Sequence, residues 1–225
     1  MNIPSTLKKF SCIVDKRFDI YGLKFSTEDN IRYDFFYALL HENKIKPWDI
    51  LLESSYPLDL LDSKKKSYEI DLLVKPINIE EQGLICEFKY DKKINTNINK
   101  TNRYGKLLND LLRLYTFKSN NPNYHCLLVY ICDDEMLKYK KAFYNTESSK
   151  LKYHFDRYTL NQLNESTRSQ IIDTFYNSFV NNDVVCRTEL IFEHSSKNKK
   201  NNYTIYVWEI NTINKQINHQ IEKYT

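Results

Sequence analysis

The sequence YEIDLLV at 68–74, followed after a polar, turn-like gap by GLICEFKY at 83–90, decides the fold. Both stretches are short and apolar, and each is bounded by polar residues, which is typical of neighbouring β-strands. Because side chains alternate across a strand, Glu87 and Lys89 point to one face of the sheet and Phe88 to the other. We therefore predict two strands that carry charged residues on a single face of the sheet.

Asp71, in the first of these strands, is expected beside Glu87 if the two strands are neighbours. Two carboxylates held together in apolar surroundings repel each other unless a proton or a cation joins them. Mg²⁺, or Mn²⁺ in its place, binds one or two carboxylates together with water and phosphate oxygens. The sequence thus predicts a magnesium site at Asp71 and Glu87, in which Lys89 holds the attacking water or steadies the developing charge during phosphodiester hydrolysis. The alternative is that all three residues lie on the solvated face of an antiparallel hairpin.

Further strands and helices are predicted on both sides of this pair. An acidic helix start at 26–29 leads into a helix that ends near 43, whereas residues 10–25 show no clear period. The other predicted elements are strands at 49–56, 68–75, 82–90 and 126–132, helices at 103–118, from 133 and at 161–181, and two final strands at 184–193 and 203–210 joined by a polar tip at 194–202. This order predicts an α/β fold with a mixed sheet.

Composition limits the classes of protein that are compatible with the sequence. The chain has 225 residues, of which 41% are hydrophobic, and this favours one domain over 1–225, with a core at about 26–132 and an elaboration at about 133–225. Only three glycines occur, which excludes the glycine-rich loops that bind nucleotide cofactors. The net charge of +4 permits a polyanionic partner without identifying one.

Cysteine, histidine and hydropathy patterns add three expectations. Five cysteines and five histidines show no metal-ligand spacing, so zinc is not expected, and most of the cysteines lie in apolar runs typical of buried thiols. No apolar stretch is long enough to cross a membrane, and no secretory signal is evident. We therefore expect no membrane association and a cytoplasmic location.

These residues and their order resemble the PD-(D/E)XK, or restriction-endonuclease-like, superfamily, and are similar to the nuclease region of type I restriction subunits and their small relatives. The likeness covers about 26–132 and includes Glu28 on a first helix, Asp71 on a hairpin, and Glu87 with Lys89 before a helix and a strand. Ile70 stands where the family's name has proline. The resemblance implies a restriction-endonuclease-like mixed sheet flanked by helices, with a C-terminal helix and β-hairpin added.

The same resemblance implies a magnesium-dependent endonuclease that cleaves duplex DNA, with defence or restriction as its setting. It also implies that a homodimer would cut both strands, although the sequence itself shows no interface. The fold fixes the substrate less well than the chemistry. RNA cleavage, DNA repair and a non-catalytic nucleic-acid- or protein-binding module therefore remain alternatives.

Several further residues are secondary candidates for the site. Glu28 would add a carboxylate, but acids in a first helical turn are also favoured by the helix dipole. Glu53 lies on the preceding strand, where an edge carboxylate is the simpler interpretation. Asn109 and Arg113 share a stripe of the 103–118 helix that would support the site or lie on a solvated face.

Basic residues in three segments are candidates for phosphate contacts. They are Lys92, Lys93, Arg103, Lys106, Lys197 and Lys199. The alternatives are a solubilising loop, a solvated helix face and an ordinary charged hairpin tip, and the solvated interpretation is the more common one for the helix face and the tip.

Overall fold

The structure is a computed structural model that describes residues 1–56, 69–76, 78, 81–92, 100–136, 187–197 and 202–211. Within these ranges, the side chains at 100–105, 108, 109, 112, 187 and 197 are not described. The described elements are α1 (Ile3–Phe25), α2 (Glu28–Glu42), a 3-10 turn (Pro47–Asp49), β1 (Ile50–Ser55), β2 (Glu69–Val74), β3 (Gly83–Asp91), α3 (Lys100–Asn120), β4 (Tyr124–Asp133), β5 (Arg187–Lys197) and β6 (Asn202–Asn211).

The six strands form one mixed sheet in the order β1-β2-β3-β4-β6-β5. Strands β3 and β4 are parallel, and the other neighbouring strands are antiparallel. Parallel neighbours need a crossover connection, which α3 provides between β3 and β4. The predicted α/β class and the mixed sheet are therefore confirmed.

Each face of the sheet is covered by helices. On one face Phe10 of α1 and Phe35 of α2 are fully buried, and Phe35 packs edge-on against Phe88 of β3. On the other face Leu111 of α3 belongs to a buried cluster that also contains Ile85 of β3. Alternate residues of β3 thus serve two separate apolar cores.

Helix α1 corrects the prediction that residues 10–25 lack a regular period. Its buried residues include Ile3, Leu7, Phe10, Val14 and Phe18, at successive spacings of three and four. This stripe starts at residue 3, so the pattern of residues 10–25 includes only its second half. The helix packs this stripe against α2 and the sheet.

Helix α2 and the strands of the predicted core match their expected positions within a few residues. Thr27 caps α2, because its hydroxyl accepts a hydrogen bond from the Asn30 backbone nitrogen while the Asn30 side chain accepts one from Thr27. The predicted helix from 133 has its start among the described residues. There Asp133 accepts a hydrogen bond from the Met136 nitrogen, and 134–136 are helical.

The C-terminal hairpin extends the same sheet, because β6 pairs with β4. The predicted tip at 194–202 was too wide, since β5 continues to Lys197 and β6 begins at Asn202. The residues at 194–197 are all polar, so they lack the alternation of apolar and polar residues by which a strand is predicted. His194 nevertheless lies 3.0 Å from the carboxylate of Asp15 on α1. The predicted helix at 161–181 lies outside the described residues.

Two sequence expectations about residue environment can be compared with the described part of the chain. Cys86, Cys126 and Cys132 are buried thiols, as expected, whereas Cys12 is exposed. No described helix combines the length and apolar character needed to cross a membrane.

Candidate functional site

The candidate site begins where β2 and β3 separate. Their ladder runs from Val74 opposite Leu84 to Leu72 opposite Cys86. One residue further along, the Asp71 carboxylate accepts a hydrogen bond from the Phe88 backbone nitrogen, with Oδ2 2.7 Å from N. A side chain therefore takes the place of the next backbone partner of β3.

Glu28 of α2 also accepts a hydrogen bond from a backbone nitrogen of β3, two residues further along the strand. Its Oε2 accepts a hydrogen bond from the Tyr90 nitrogen at 3.2 Å, and its Oε1 lies 3.4 Å from the Lys89 ammonium. The gap between the two strands is thus lined by two carboxylates, those of Glu28 and Asp71. Because the ladder between β2 and β3 is interrupted here, polar side chains lie within an otherwise apolar part of the sheet.

Glu87 lies beneath α3, at the position of β3 that continues the ladder opposite Asp71, and its side chain is 2% exposed. Its Oε1 accepts a hydrogen bond from the Tyr56 hydroxyl at 3.1 Å, and its Oε2 accepts one from Arg113 Nη2 at 3.3 Å. The Arg113 guanidinium also lies over the Tyr56 ring, 5.5 Å from its centroid. A buried carboxylate requires such partners, because desolvation without them is costly.

Lys89 shares the face of β3 on which Glu87 lies, as the alternation along the strand predicts. Its ammonium donates to the Phe88 carbonyl oxygen at 2.6 Å and lies 3.2 Å from Asp110 Oδ2 on α3. Asp110 also pairs with Arg113, one helical turn away. The charges therefore alternate along a continuous chain that runs from Glu87 through α3 to Lys89.

Arg32 of α2 forms a second ionic group around Asp71. Its Nη1 lies 3.6 Å from Asp71 Oδ1, and its Nη2 lies 3.1 Å from Glu53 Oε1 and contacts Asp29. Arg32 is buried, whereas the side chains of Glu53 and Asp29 are mostly exposed. This group connects the interior of the site to the surface.

We refer to these nine residues as the charged cluster. They are Glu28, Asp29, Arg32, Glu53, Asp71, Glu87, Lys89, Asp110 and Arg113. The cluster contains six carboxylates and three cationic side chains, so the ionised form has excess negative charge. Such an excess in a partly buried site favours either protonation or the binding of a cation.

The pKa shifts in the cluster follow from burial and this excess. Burial raises the pKa of Glu87 well above its ordinary value, and Asp110 and Asp71 add to this effect while Arg113 opposes it. Burial likewise raises the pKa of Glu28, which Lys89 lowers in part. Burial alone would lower the pKa of Lys89, but the surrounding carboxylates, Asp110 first among them, raise it above its ordinary value. Lys89 is therefore a stable cation.

The cluster fits a divalent metal ion in ligand type and in charge. Asp71 and Glu87 carry carboxylate oxygens, the ligand type that Mg²⁺ prefers, and burial, with Asp110 and Asp71 nearby, raises the pKa of Glu87. Within the described ranges, no three His, Cys, Asp or Glu side chains are grouped so as to hold an ion by themselves. Mg²⁺ does not need three protein ligands, because water and phosphate oxygens complete its shell.

The structure brings together six of the residues selected from the sequence. They are Glu28, Glu53, Asp71, Glu87, Lys89 and Arg113, each of which lies in the charged cluster. The solvated helix face is therefore wrong for Arg113, which is 7% exposed and faces Glu87. Aliphatic length lets an arginine pack among leucines while its guanidinium contacts a buried acid.

Two of the predicted phosphate-contacting residues, Lys92 and Lys106, have described side chains, and neither has a described contact with the charged cluster. The Lys92 ammonium donates to the carbonyl oxygens of Leu23, Lys24 and Ser26 at the end of α1, so it stabilises that helix end and is not open to phosphate. Lys106 is exposed on α3 and makes no described contact with the cluster. Lys93 and Lys199 lie outside the described residues, and so do the side chains of Asn109, Arg103 and Lys197.

Sequence reasoning did not select Arg32, Asp110 or Tyr56 as site residues. Asp110 shares with Arg113 the stripe of α3 for which the sequence allows either support of the site or a solvated face. Arg32 lies four residues after Glu28, a spacing that places both on one side of α2 and could have identified it. Tyr56 follows the end of β1 and carries no comparable signal.

Glu53 has an unusual backbone conformation within β1. Its φ angle is 53°, in the left-handed region that residues other than glycine seldom adopt. The paired residues on either side, Leu52 with Leu72 and Ser54 with Ile70, place Glu53 across from Asp71. Strained backbone of this kind is concentrated at functional sites, and here it directs Glu53 towards Arg32.

The fold and the site define an α/β protein with a partly buried charged cluster at a break in a mixed sheet. No family model, curated protein or solved structure matches the chain.

Proposed function

We propose that the protein is a magnesium-dependent nuclease that hydrolyses DNA phosphodiester bonds, with Asp71, Glu87 and Lys89 at its catalytic centre. One observation carries this proposal: Asp71 and Glu87 flank the break between β2 and β3, and Lys89 lies on the same face of β3 as Glu87. The resemblance to the PD-(D/E)XK superfamily supports the same assignment. The order α2, β1, β2, β3, α3, β4 is the order that this resemblance implies.

Each residue has a task that follows from its surroundings. Asp71 and Glu87 would hold Mg²⁺, with Mn²⁺ as a substitute, and the bound ion supplies an activated water and neutralises phosphate charge. Asp71, with its side chain 20% exposed, is the ligand more accessible to a substrate. Lys89 remains protonated among its carboxylates, so it donates hydrogen bonds to the water or to the phosphate and does not remove a proton.

The proposed setting is defence or restriction in the cytoplasm, with duplex DNA as the substrate. A homodimer would give each strand of the duplex its own active site. These parts of the proposal depend on the resemblance, and comparison of substrates tests them. Cleavage of RNA or of branched DNA in preference to duplex DNA would change the substrate and keep the chemistry.

A cleavage assay on plasmid DNA tests the proposal. We expect wild-type protein to nick or cut plasmid with Mg²⁺ or Mn²⁺ and not with chelator, and Asp71→Asn, Glu87→Gln and Lys89→Met to lose about 100-fold or more of the rate. Glu209→Gln is the matched control, because it makes the same chemical change in a carboxylate that pairs with His125 outside the cluster. Cleavage that resists chelator, or that survives all three substitutions, would reject the mechanism.

A second candidate function is a non-catalytic binding module that keeps the charged cluster for folding alone. The contacts of Tyr56 and Arg113 favour it, because they occupy both carboxylate oxygens of Glu87. This candidate predicts that substitutions in the cluster lower the unfolding temperature, while wild-type protein neither cleaves nucleic acid nor binds Mn²⁺.

A further inference from the structure

Asp110 lies at the centre of the ionic chain between β3 and α3. Its side chain is 4% exposed, its Oδ1 accepts a hydrogen bond from Arg113, and its Oδ2 lies 3.2 Å from the Lys89 ammonium. Through Arg113 the same residue is linked to Glu87, because Arg113 Nη2 lies 3.3 Å from Glu87 Oε2. Asp110 therefore contacts Lys89 of the proposed catalytic centre directly and is linked to Glu87 through Arg113.

The Oδ2 atom of Asp110 is buried and has no hydrogen bond of normal geometry among the described residues. A carboxylate oxygen removed from water is costly unless a positive charge lies beside it. The ammonium of Lys89 is in that position. Because Asp110 is buried, its carboxylate needs this contact with Lys89. The partners of a surface ion pair, by contrast, can separate and be solvated at little cost.

Lys89 has a second acidic neighbour, Glu28, whose Oε1 lies 3.4 Å from Nζ. The Glu28 side chain is 41% exposed, so water screens this contact, and its other carboxylate oxygen is occupied by the Tyr90 backbone nitrogen. Asp110 is enclosed and is also fixed by Arg113. Of these two acids, Asp110 is the one that can hold a long, rotamer-rich lysine in a single position.

From this geometry we infer that Asp110 is a positioning residue for Lys89: it fixes the ammonium at the catalytic centre without contacting substrate or metal. The inference rests on the proposed function for the role of Lys89, but the contact itself can be tested separately. A positioning carboxylate should affect the rate of the chemical step more than the binding of DNA or metal.

A double-mutant cycle in thermal unfolding tests the contact independently of activity. We expect Asp110→Asn and Lys89→Met each to lower the unfolding temperature, and the double variant to lose less than the sum by at least about 3 °C, because residues in contact do not act independently. If Asp110→Asn fails to fold, the double variant should fold, since it removes the orphaned ammonium. Additive losses, or a double variant that also fails to fold, would overturn the pairing.

Kinetics on a short duplex with Mn²⁺ test the positioning role. We expect Asp110→Asn to lower kcat by about 10- to 100-fold, with the KM for DNA and the Mn²⁺ affinity within about threefold of wild type, as for other residues that orient a catalytic group. Asp110→Glu should recover part of kcat, and Glu209→Gln should match wild type.

Three results would decide against the role. A kcat within about threefold of wild type in Asp110→Asn shows that Lys89 does not need Asp110. A parallel loss of Mn²⁺ affinity shows that Asp110 supports the metal site and not Lys89. Wild-type protein that cleaves nothing overturns the proposed function and with it the catalytic role, and the unfolding cycle then still decides whether Asp110 holds Lys89.

Discussion

The hydroxyl of Tyr56 is a hydrogen-bond donor to the buried carboxylate of Glu87. Tyr56 is 2% exposed and donates to Glu87 Oε1 at 3.1 Å. Removing one partner of a buried polar pair leaves the other unsatisfied, which costs more than the bond itself contributes. Tyr56 thus links the strand that precedes β2 to the buried acid of β3.

Tyr56→Phe should destabilise the protein by about 1–3 kcal/mol, because the buried carboxylate of Glu87 would lose the hydrogen bond to its Oε1 atom. Chemical denaturation followed by circular dichroism measures this difference. Tyr33→Phe, at a side chain that is 56% exposed, is the control and should change the free energy of unfolding by less than about 0.5 kcal/mol. Equal effects of the two substitutions would show that the Tyr56 hydroxyl does not support Glu87.

The left-handed backbone at Glu53 predicts an inverted response to glycine. Glu53→Gly should be more stable than Glu53→Ala by about 1 kcal/mol, because glycine adopts a φ of 53° without the steric cost that other residues meet. Both variants lose the contact with Arg32, so their comparison isolates the backbone.

At Ser54, which pairs with Ile70 in the ladder, the glycine variant should instead be less stable than the alanine variant. Denaturation midpoints of the four proteins provide the test. A Glu53→Gly protein less stable than Glu53→Ala would mean that β1 does not have this strained conformation.

At the scale of whole elements, α1 covers one face of the sheet and is not an appendage. Phe10 is fully buried and packs edge-on against Phe35, with ring centroids 5.3 Å apart. Phe18 contacts Tyr203 of β6 in the same way at 4.6 Å. Helix α1, which precedes β2 and β3 in the sequence, therefore packs against both α2 and the C-terminal hairpin of β5 and β6.

Phe10→Ala should destabilise the protein by about 3–5 kcal/mol, the usual cost of replacing a buried phenylalanine. Lys8→Ala, at an exposed position two residues away, should have little effect. Thermal unfolding distinguishes the two variants, and a Phe10→Ala protein as stable as Lys8→Ala would show that α1 does not pack on the sheet.

Sequence patterns were sufficient to predict the elements around the break between β2 and β3. Strand alternation placed Glu87 and Lys89 on one face and Phe88 on the other, and the structure confirms this. Helix α2 was predicted from its acidic first turn and α3 from its leucines. These sequence patterns are local, because each depends on residues within one or two turns of a helix or within a single strand.

Other features depended on contacts that local patterns do not encode. The burial of Asp110 and Arg113 follows from their ionic partners on β3, so a stripe of charged residues resembled a solvated face. Arg32 reaches Asp71 and Glu53 across two other elements. The polar β5 continues through His194 because β6 pairs with it, and no run of apolar residues marks this extension.

Across the whole molecule, opposite charges are grouped where α2, α3, β1, β2 and β3 meet. The charged cluster has more carboxylates than cations, and burial raises the pKa of Glu87. A bound divalent ion would supply the missing positive charge. Ligand binding to the folded state alone also raises stability, so such a metal should increase the unfolding temperature in a concentration-dependent way.

Calorimetric titration of Mn²⁺ into wild-type protein, Asp71→Asn and Glu209→Gln measures this binding directly. We predict a saturable site in wild type and in Glu209→Gln, and an affinity at least about 10-fold weaker in Asp71→Asn, because that variant loses a charged ligand. The absence of saturable binding in wild type, or equal affinity in Asp71→Asn, would contradict a metal centre at Asp71 and Glu87.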